Sequence, residues 1–106
     1  MLLLVALLTV NPFHGFAPLR TTFTVNVGWD IKEGNVCLAW ASDYVTKVDC
    51  WSLTVKDQTR RWIKTDMLSE GQWEVKVMVN GYDQKGKVIN VSSPVVGVNV
   101  LPGGSQ

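Results

Sequence analysis

The chain has 106 residues, ten Lys or Arg, nine Asp or Glu, and a formal net charge of +1. This length predicts one domain with one hydrophobic core. The near balance of charge excludes a strong general attraction to nucleic acid or to an acidic membrane surface, so affinity for a partner has to come from shape and apolar contact. Nine glycines, many valines and threonines, and no long run with helical spacing favour an all-β domain.

The amino-terminal segment, residues 1–17, begins with ten residues of which only Thr9 is polar. Ten residues are too few to cross the roughly 30 Å of membrane hydrocarbon as a helix. One interpretation is a secretory signal, although no Lys or Arg precedes the apolar run and Pro18 disfavours cleavage after Ala17. The other is a retained arm that adds as a strand to a neighbouring subunit.

In the second interpretation the intact chain is expected to be oligomeric, and residues 18–101 are expected to fold without the arm. Contact with a membrane is expected only through this segment. The apolar side chains of the proposed arm are Leu2, Leu3, Leu4, Val5, Leu7, Leu8 and Val10.

The strands are predicted from alternation of apolar and polar residues, which is typical of a half-buried strand. The alternation is clearest after Gln72, where Trp73, Val75, Val77 and Val79 share one face. A glycine-containing stretch at 32–35 predicts a polar turn. The predicted strands cover residues 21–31, 36–40, 48–55, 60–64 and 72–79, followed by a Val-rich run after Gly86.

Residues 83–86 connect the last two of these stretches and predict a β-hairpin. A calcium loop is the less favoured interpretation, because Lys85 lies inside the segment and further carboxylates do not follow. The short stretch at 60–64 is expected at a sheet edge, where its charges oppose pairing with another copy.

Residues 68–100 resemble the last third of an immunoglobulin-like β-sandwich, as in fibronectin type III and bacterial Ig-like domains. The resemblance rests on Leu68, a glycine turn, an aromatic followed by alternating valines, an Asp-x-x-Gly turn and a Ser-x-Pro run ending in valines. Residues 36–40, with Leu38 two residues before Trp40, also resemble the second strand of a fibronectin type III domain.

The resemblance implies two antiparallel sheets with about seven strands over residues 18–101, followed by a flexible Gly/Ser tail at 102–106. Trp73 stands where this superfamily usually has a tyrosine whose hydroxyl bonds to the chain upstream, so that bond is not expected here. Val75 stands where antibody-type domains have their second cysteine, which argues against an inter-sheet disulfide.

Strand parity predicts the core and the state of the cysteines. Cys37 and Cys50 are expected to point away from the core on strands of opposite sheets, with Cα atoms beyond the roughly 7 Å that a disulfide can bridge. Two free thiols are therefore predicted, which leaves the redox compartment open. The predicted core residues are Val36, Leu38, Trp40, Trp51, Leu53, Trp73, Val75 and Val77.

The candidate binding residues are aromatic and basic. Five tryptophans lie eleven residues apart, and two of them, Trp29 and Trp62, fall nearest turns or a predicted edge. Arg60 and Arg61 precede Trp62, and Tyr82 precedes the hairpin turn. We expect these five side chains to be the ones that contact a partner or a glycan.

The sequence contains no nucleophile elbow, phosphate-binding glycine loop, H-x-x-x-H or C-x-x-C pattern. No catalytic residue, metal site or cofactor is therefore predicted, and the protein is expected not to be an enzyme. We expect a structural or adhesive module at a cell surface, outside the cell or in an assembly such as a virion, bound to other protein subunits. The alternative is a carbohydrate-binding module that uses exposed tryptophans.

Overall fold

The computed structural model describes residues 6–103, which form nine β-strands and no helix. The prediction of an all-β chain is confirmed, and the described residues include no helix that could span a membrane. The strands are β1 (Ala6–Asn11), β2 (His14–Phe16), β3 (Leu19–Val27), β4 (Ile31–Ala41), β5 (Thr46–Leu53), β6 (Arg61–Leu68), β7 (Gly71–Asp83), β8 (Val88–Ser92) and β9 (Val96–Leu101).

The strands form two sheets that share one hydrophobic core. The small sheet has the order β1-β3-β6, and the large sheet has the order β2-β9-β7-β4-β5. The long strand β7 pairs with β9 along its first half and with β8 along its second half. The pairing of β2 with β9 is parallel, so the large sheet is mixed and not fully antiparallel as predicted.

The turn between the first two predicted strands is displaced. β3 ends at Val27, and residues 28–30 form the turn, in which the Ile31 N–H donates to the Gly28 carbonyl at 3.3 Å. The predicted turn at 32–35 lies inside β4, which contains a bulge between Ile31 and Glu33. Gly34 is needed because a Cβ there would collide with the main-chain oxygen of Asn80 on β7. Gly34 therefore marks a close approach of β4 to β7.

The core follows the predicted alternation closely. Every predicted core residue is buried except Trp51, which is half-buried. Val55, the last residue of the predicted strand 48–55, lies beyond the end of β5 and is exposed. The buried residues outside the predicted core include Phe23, Val25, Ile31, Leu68, Val79, Val98 and Val100.

The apolar segment at the amino terminus forms part of this sandwich. β1 pairs antiparallel with β3, and its inward side chains Ala6, Leu8 and Val10 pack against the core. The interpretation of Leu7, Leu8 and Val10 as part of an arm that pairs with a neighbouring subunit, beside a sandwich that is complete without it, is therefore wrong. Leu7 points outward from β1. The other four arm residues, Leu2, Leu3, Leu4 and Val5, lie outside the described residues, and cleavage of the segment stays a prediction.

Trp73 makes the hydrogen bond that its chemistry was expected to exclude. Its buried indole Nε1–H donates to the carbonyl of Ser69, four residues upstream, at 2.9 Å. The indole works as a donor to a carbonyl, so it needs no acceptor atom of its own. The bond fixes the tight connection between β6 and β7.

The edge strands β5 and β6 belong to different sheets and face each other along one side of the sandwich. Lys47 on β5 contacts Asp66 on β6 at 2.8 Å, and Lys64 on β6 contacts Asp49 on β5 at 2.8 Å. The Nε1–H of buried Trp40 also donates to Asp66 at 2.8 Å. Inward-facing charges thus meet opposite charges across the sheets, which also discourages pairing of these edges with other chains.

The same side of the sandwich is closed further along by two tryptophans. Trp51 on β5 and Trp62 on β6 stack with ring centroids 5.5 Å apart and an angle of 10° between their planes. The two ion pairs and this stack form the β5–β6 seam. Because both rings cover part of the core, they act as packing groups.

The prediction of two free thiols is wrong. Cys37 on β4 and Cys50 on β5 stand directly opposite each other, with Cα atoms 4.1 Å apart, and form a disulfide. Both cysteines point away from the core, as strand parity predicted. The error lay in placing the strands in opposite sheets, whereas β5 returns beside β4 in the same sheet.

Loss of Trp73 is expected to destabilise the fold strongly. Trp73→Ala removes a buried aromatic and should lower the free energy of unfolding by about 3 to 5 kcal/mol. Trp73→Phe keeps most of the packing but not the bond to Ser69. Loss of that bond should lower the free energy of unfolding by about 1 kcal/mol, in addition to the effect of the smaller ring. Urea unfolding measures both, and an effect of Trp73→Ala no larger than that of exposed Trp29→Ala would contradict this assignment.

The disulfide predicts that both cysteines are oxidised and that the bond stabilises the fold. The unfolded, unreduced protein should contain no titratable thiol from Cys37 or Cys50. Replacing both cysteines by alanine should lower the free energy of unfolding by about 3 kcal/mol, as for a closed loop of similar length. Equal stability of the oxidised and reduced proteins in urea would contradict a stabilising role.

The ion pair at Asp66 predicts a pH dependence. Burial would raise the pKa of Asp66, but hydrogen bonds from Lys47 and Trp40 outweigh burial and hold its pKa below the ordinary 3.8. Such a carboxyl stabilises the fold above its unfolded pKa, and this stabilisation is lost as the pH falls through the folded pKa. Asp66→Asn should therefore be less stable than the parent at neutral pH, with the difference shrinking below about pH 4.

The matched control is Asp43→Asn, in the exposed connection between β4 and β5. Urea unfolding across a pH series should show this variant following the parent protein at every pH. A stability deficit of Asp66→Asn that stays constant down to the acid limit would contradict the linkage.

Candidate functional site

Three connections meet at one end of the sandwich, which we call the loop end. They are residues 28–30 between β3 and β4, residues 54–60 between β5 and β6, and residues 84–87 between β7 and β8. Hydrogen bonds join the first connection to each of the other two. The loop end is therefore one connected surface made from three distant parts of the sequence.

Arg60 holds two of these connections together. Its guanidinium donates to the carbonyls of Gly28 at 2.6 Å and Ile31 at 2.7 Å, and to the Gln58 side-chain oxygen at 2.6 Å. The main chain of Arg60 also accepts from the Val27 N–H at 2.8 Å. Arg60 is only 9% exposed. This predicted contact residue therefore supports the loop end from beneath and does not present its charge at the surface.

The electrostatics of Arg60 are those of a buried cation. Burial lowers the pKa of Arg60 from its ordinary value, yet a guanidinium stays protonated at neutral pH. Its partners are carbonyl oxygens and an aromatic ring, and its Nε has no hydrogen-bond partner among the described residues. The carbonyl oxygens carry only partial negative charges, and they stabilise the full positive charge of the Arg60 guanidinium. The β3–β4 turn that supplies them must therefore be placed accurately.

The ring of Trp29 lies on this cation. The guanidinium carbon of Arg60 is 4.1 Å from the centroid of the Trp29 ring, within the range of a cation–π contact. Trp29 is nevertheless 72% exposed. One side of the ring is held by the protein while most of its surface faces solvent, and its contact with a partner stays a prediction.

The β7–β8 connection holds the main chain of Trp29 and Asp30 through Gln84. The Gln84 side-chain N–H donates to the Trp29 carbonyl at 2.9 Å, and its main-chain N–H donates to the Asp30 carbonyl at 3.1 Å. The Asp83 carboxylate accepts from the main-chain N–H groups of Lys85 and Lys87. The predicted turn after β7 is therefore confirmed, and the Asp83 carboxylate stabilises it by accepting these main-chain hydrogen bonds.

The other predicted contact residues do not join Trp29 and Arg60. Trp62 is half-buried in the β5–β6 seam. Arg61 lies on the outer face of the small sheet, paired in register with Asn26. Tyr82 lies on the outer face of the large sheet, 46% exposed. The consecutive residues 60–62 thus point in three different directions, because strand geometry alternates side chains and Arg60 precedes the strand.

Gln58 and Gln84 are the residues of the loop end that the sequence did not reveal. Each is a neutral amide in a connection, and nothing in its local pattern distinguishes it from a solvated loop residue. Gln58 accepts from Arg60, two residues along, and its side-chain N–H also donates to the carbonyl of Lys32, 26 positions away. The bond from Gln84 to Trp29 joins residues 55 positions apart, so it exists only in the folded chain. Chemically, the loop end offers an apolar ring, main-chain groups and amides, which suits binding. The described residues contain no group of three His, Cys, Asp or Glu side chains placed to hold a metal ion.

Replacing Arg60 by lysine should loosen the loop end. Lysine cannot reach two carbonyls and an amide oxygen in the same planar arrangement, so Arg60→Lys should lower the free energy of unfolding by about 2 kcal/mol. Amide hydrogen exchange should become faster at residues 28–31. Arg61→Lys, at the adjacent exposed position, is the control and should change neither quantity; equal behaviour of the two variants would contradict the supporting role of Arg60.

Comparison of the chain with protein-family models, with curated proteins and with solved structures finds no match. The function of the loop end therefore has to be inferred from its own geometry. That geometry is an exposed tryptophan on a buried arginine, fixed by hydrogen bonds from three connections.

Proposed function

We propose that this chain is a non-catalytic, immunoglobulin-like β-sandwich module with a structural or adhesive role, and that it binds a protein partner through the loop end. The observation that carries the proposal is Trp29, a large apolar ring that is 72% exposed and yet fixed in place. Tryptophan and other aromatic anchors provide much of the energy of protein interfaces. Because the ring is already ordered, binding costs little additional conformational entropy.

The order of the strands supports the immunoglobulin-like part of the proposal. β3 pairs with β6 in the small sheet and β4 pairs with β7 in the large sheet, so these two strand pairs interleave along the chain across the two sheets. Immunoglobulin-like sandwiches have this kind of connection. Two tryptophans also occupy characteristic places: Trp40 is buried on β4, and Trp73 bonds to the main chain upstream as the corner tyrosine does.

The composition of the loop end supports a protein partner. Besides Trp29, the loop end carries the exposed apolar side chain Val55, which lies in the β5–β6 connection and is 59% exposed. An apolar centre surrounded by polar groups is typical of a protein interface. The net charge of +1 predicts that association depends on this contact and only slightly on salt.

The disulfide between Cys37 and Cys50 supports an extracellular, cell-surface or virion location within the proposal. Disulfides persist in oxidising environments and are rare where glutathione keeps thiols reduced. The partners we propose are other protein subunits, either further copies of this chain or different chains.

Glycan binding at the loop end is the second candidate, and the open face of Trp29 favours it. A sugar ring can stack on such a face as a protein side chain does. Trp62, the other tryptophan considered for this role, is covered by Trp51 in the seam. The second candidate therefore depends on Trp29 alone.

Selection of peptides tests the proposal. A displayed random-peptide library is selected on the intact protein, and the bound peptides are measured against Trp29→Ala. We expect peptides whose affinity falls at least about tenfold in Trp29→Ala, a loss of about 1.4 kcal/mol. Tyr44→Ala is the matched control, because Tyr44 is an exposed aromatic in the β4–β5 connection at the opposite end.

Selected peptides that bind Trp29→Ala as tightly as the parent would contradict the proposal. A glycan array probed in parallel with both proteins separates the second candidate. Glycan signals that disappear in Trp29→Ala, without any peptide that depends on Trp29, would favour the sugar over the protein partner.

A further inference from the structure

A row of uncharged polar side chains crosses the outer face of the large sheet. Asn90 on β8 stands opposite Asn80 on β7, Asn80 stands opposite Asn35 on β4, and Asn35 stands opposite Ser52 on β5. All four residues are exposed. We call these four residues the amide row. At about 4.8 Å between neighbouring strands, it extends about 14 Å, the length of a short oligosaccharide.

The amide row runs against the preference of its strands. Asparagine is depleted in β-strands, because its side chain competes for main-chain hydrogen bonds and packs poorly on a pleated surface. Three asparagines aligned in register on three adjacent strands are therefore not explained by strand formation. Departures of this kind from local preference concentrate at functional positions.

The chemistry of the row is that of a ligand with many hydroxyl groups. Each carboxamide presents both N–H donors and a carbonyl acceptor, and a sugar hydroxyl can use both. Within the row, the Ser52 hydroxyl donates to the Asn35 side-chain oxygen at 3.3 Å. The four members of the row carry no charge, so they offer no ion pair to a carboxylate or sulfate.

Apolar groups lie on both sides of the amide row. Tyr82 and Val88, themselves paired in register, follow it towards the loop end, with Glu33 opposite Tyr82 on β4. Met78 and the Cys37–Cys50 disulfide follow it on the other side, with Ser92 opposite Met78 on β8. Sugar rings combine polar hydroxyl edges with apolar C–H faces, and they stack on exposed aromatic rings. A polar row with an exposed aromatic ring and further apolar groups beside it matches both features.

A shallow groove lies at the β7–β8 end of the row. Its volume is about 290 Å³, and its lining residues include Tyr82, Val88, Asn80 and Asn90. The groove is open to solvent and bounded by the side chain of Tyr82, which is 46% exposed. It therefore offers a stacking surface and two amides within one concavity, as small-ligand sites do.

The strands that carry the row are held at fixed positions beside it. The disulfide lies next to Asn35 and Ser52 along β4 and β5 and ties those strands together. Gly34 and Gly81 stand opposite each other one position away, where the main chains of β4 and β7 come too close for a Cβ. The spacing of the amides is thus set before any ligand binds, which reduces the entropy cost of binding.

We propose that the amide row binds a short, neutral oligosaccharide, with Tyr82 stacking on one sugar ring and the asparagine amides bonding to hydroxyl groups along the chain. The site is on the outer face of the large sheet and is separate from Trp29 and the loop end. It does not depend on the protein-binding function proposed for the loop end.

Nuclear magnetic resonance titration tests this site on the full chain. The protein is prepared without N-linked glycan, because Asn90-Val91-Ser92 is itself an acceptor sequence for glycosylation. The probes are linear neutral hexasaccharides of glucose, mannose, xylose and N-acetylglucosamine. We expect at least one probe to give saturable shifts of the side-chain amide signals of Asn35, Asn80 and Asn90, with a Kd of about 1 mM or lower.

Variants locate the binding. Asn80→Ala and Tyr82→Ala should each weaken the affinity for that probe about tenfold or more. The matched controls are Asn11→Ala, an exposed asparagine on β1, and Tyr44→Ala, which should leave the affinity unchanged. Thermal melting checks that each variant is folded, and Asn90→Ala, on the edge strand β8, replaces Asn80→Ala with the same expected effect if the latter unfolds.

Three results would overturn the site. The first is the absence of saturable shifts with all four probes, and the second is affinity that Asn80→Ala, Asn90→Ala and Tyr82→Ala leave unchanged. The third is loss of hexasaccharide binding in Trp29→Ala, which would move the glycan to the loop end. Retained hexasaccharide binding in Trp29→Ala, together with lost peptide binding in the same variant, would show that the two surfaces act independently.

Discussion

The register between β4 and β7 is the constraint on which the other features depend. It places Trp40 opposite Val75 on the buried face and Asn35 opposite Asn80 on the exposed face. A shift by one residue would exchange the two faces, burying the amides and exposing the core. The close approach of the main chains at Gly34 resists such a shift, because any side chain there would push β7 away.

Charged residues hold the two ends of β6, an edge strand of the small sheet, in different ways. Along the β5–β6 seam, Lys47 and Asp66 balance one another across the two sheets, so a partly buried charge has a partner of opposite sign. At the loop end, the charge of Arg60 is balanced by carbonyl oxygens of the β3–β4 turn. A pair of opposite charges tolerates small movements, whereas a guanidinium bonded to several carbonyls fixes the shape of the turn. Because Trp29 lies in this turn and on the guanidinium, its exposed ring is held in place as well.

The two proposed surfaces use different physical properties of the same sandwich. The loop end combines side chains from connections that lie far apart in the sequence, so its shape depends on how those connections are held together. The amide row depends only on strand register and on the alternation of side chains. The disulfide between Cys37 and Cys50 borders the row and reinforces it. It ties the edge strand β5 covalently to β4, in addition to the main-chain bonds between them and the side-chain contacts of β5 with β6.

Strand positions and most of the core were specified by local alternation, because burial on one face imposes a period of two on each strand separately. That is why Leu38 and Val77 were placed correctly and Trp51 faces inward, half-buried, while Val55 lies beyond the end of β5 and is exposed. The neighbours of each strand depend on contacts between distant residues. The pairing of Cys37 with Cys50, the burial of Arg60 and the inclusion of Leu8 in the core all follow from such neighbours. They could not be obtained from the sequence because parity gives the direction of a side chain but not the strand or sheet beside it.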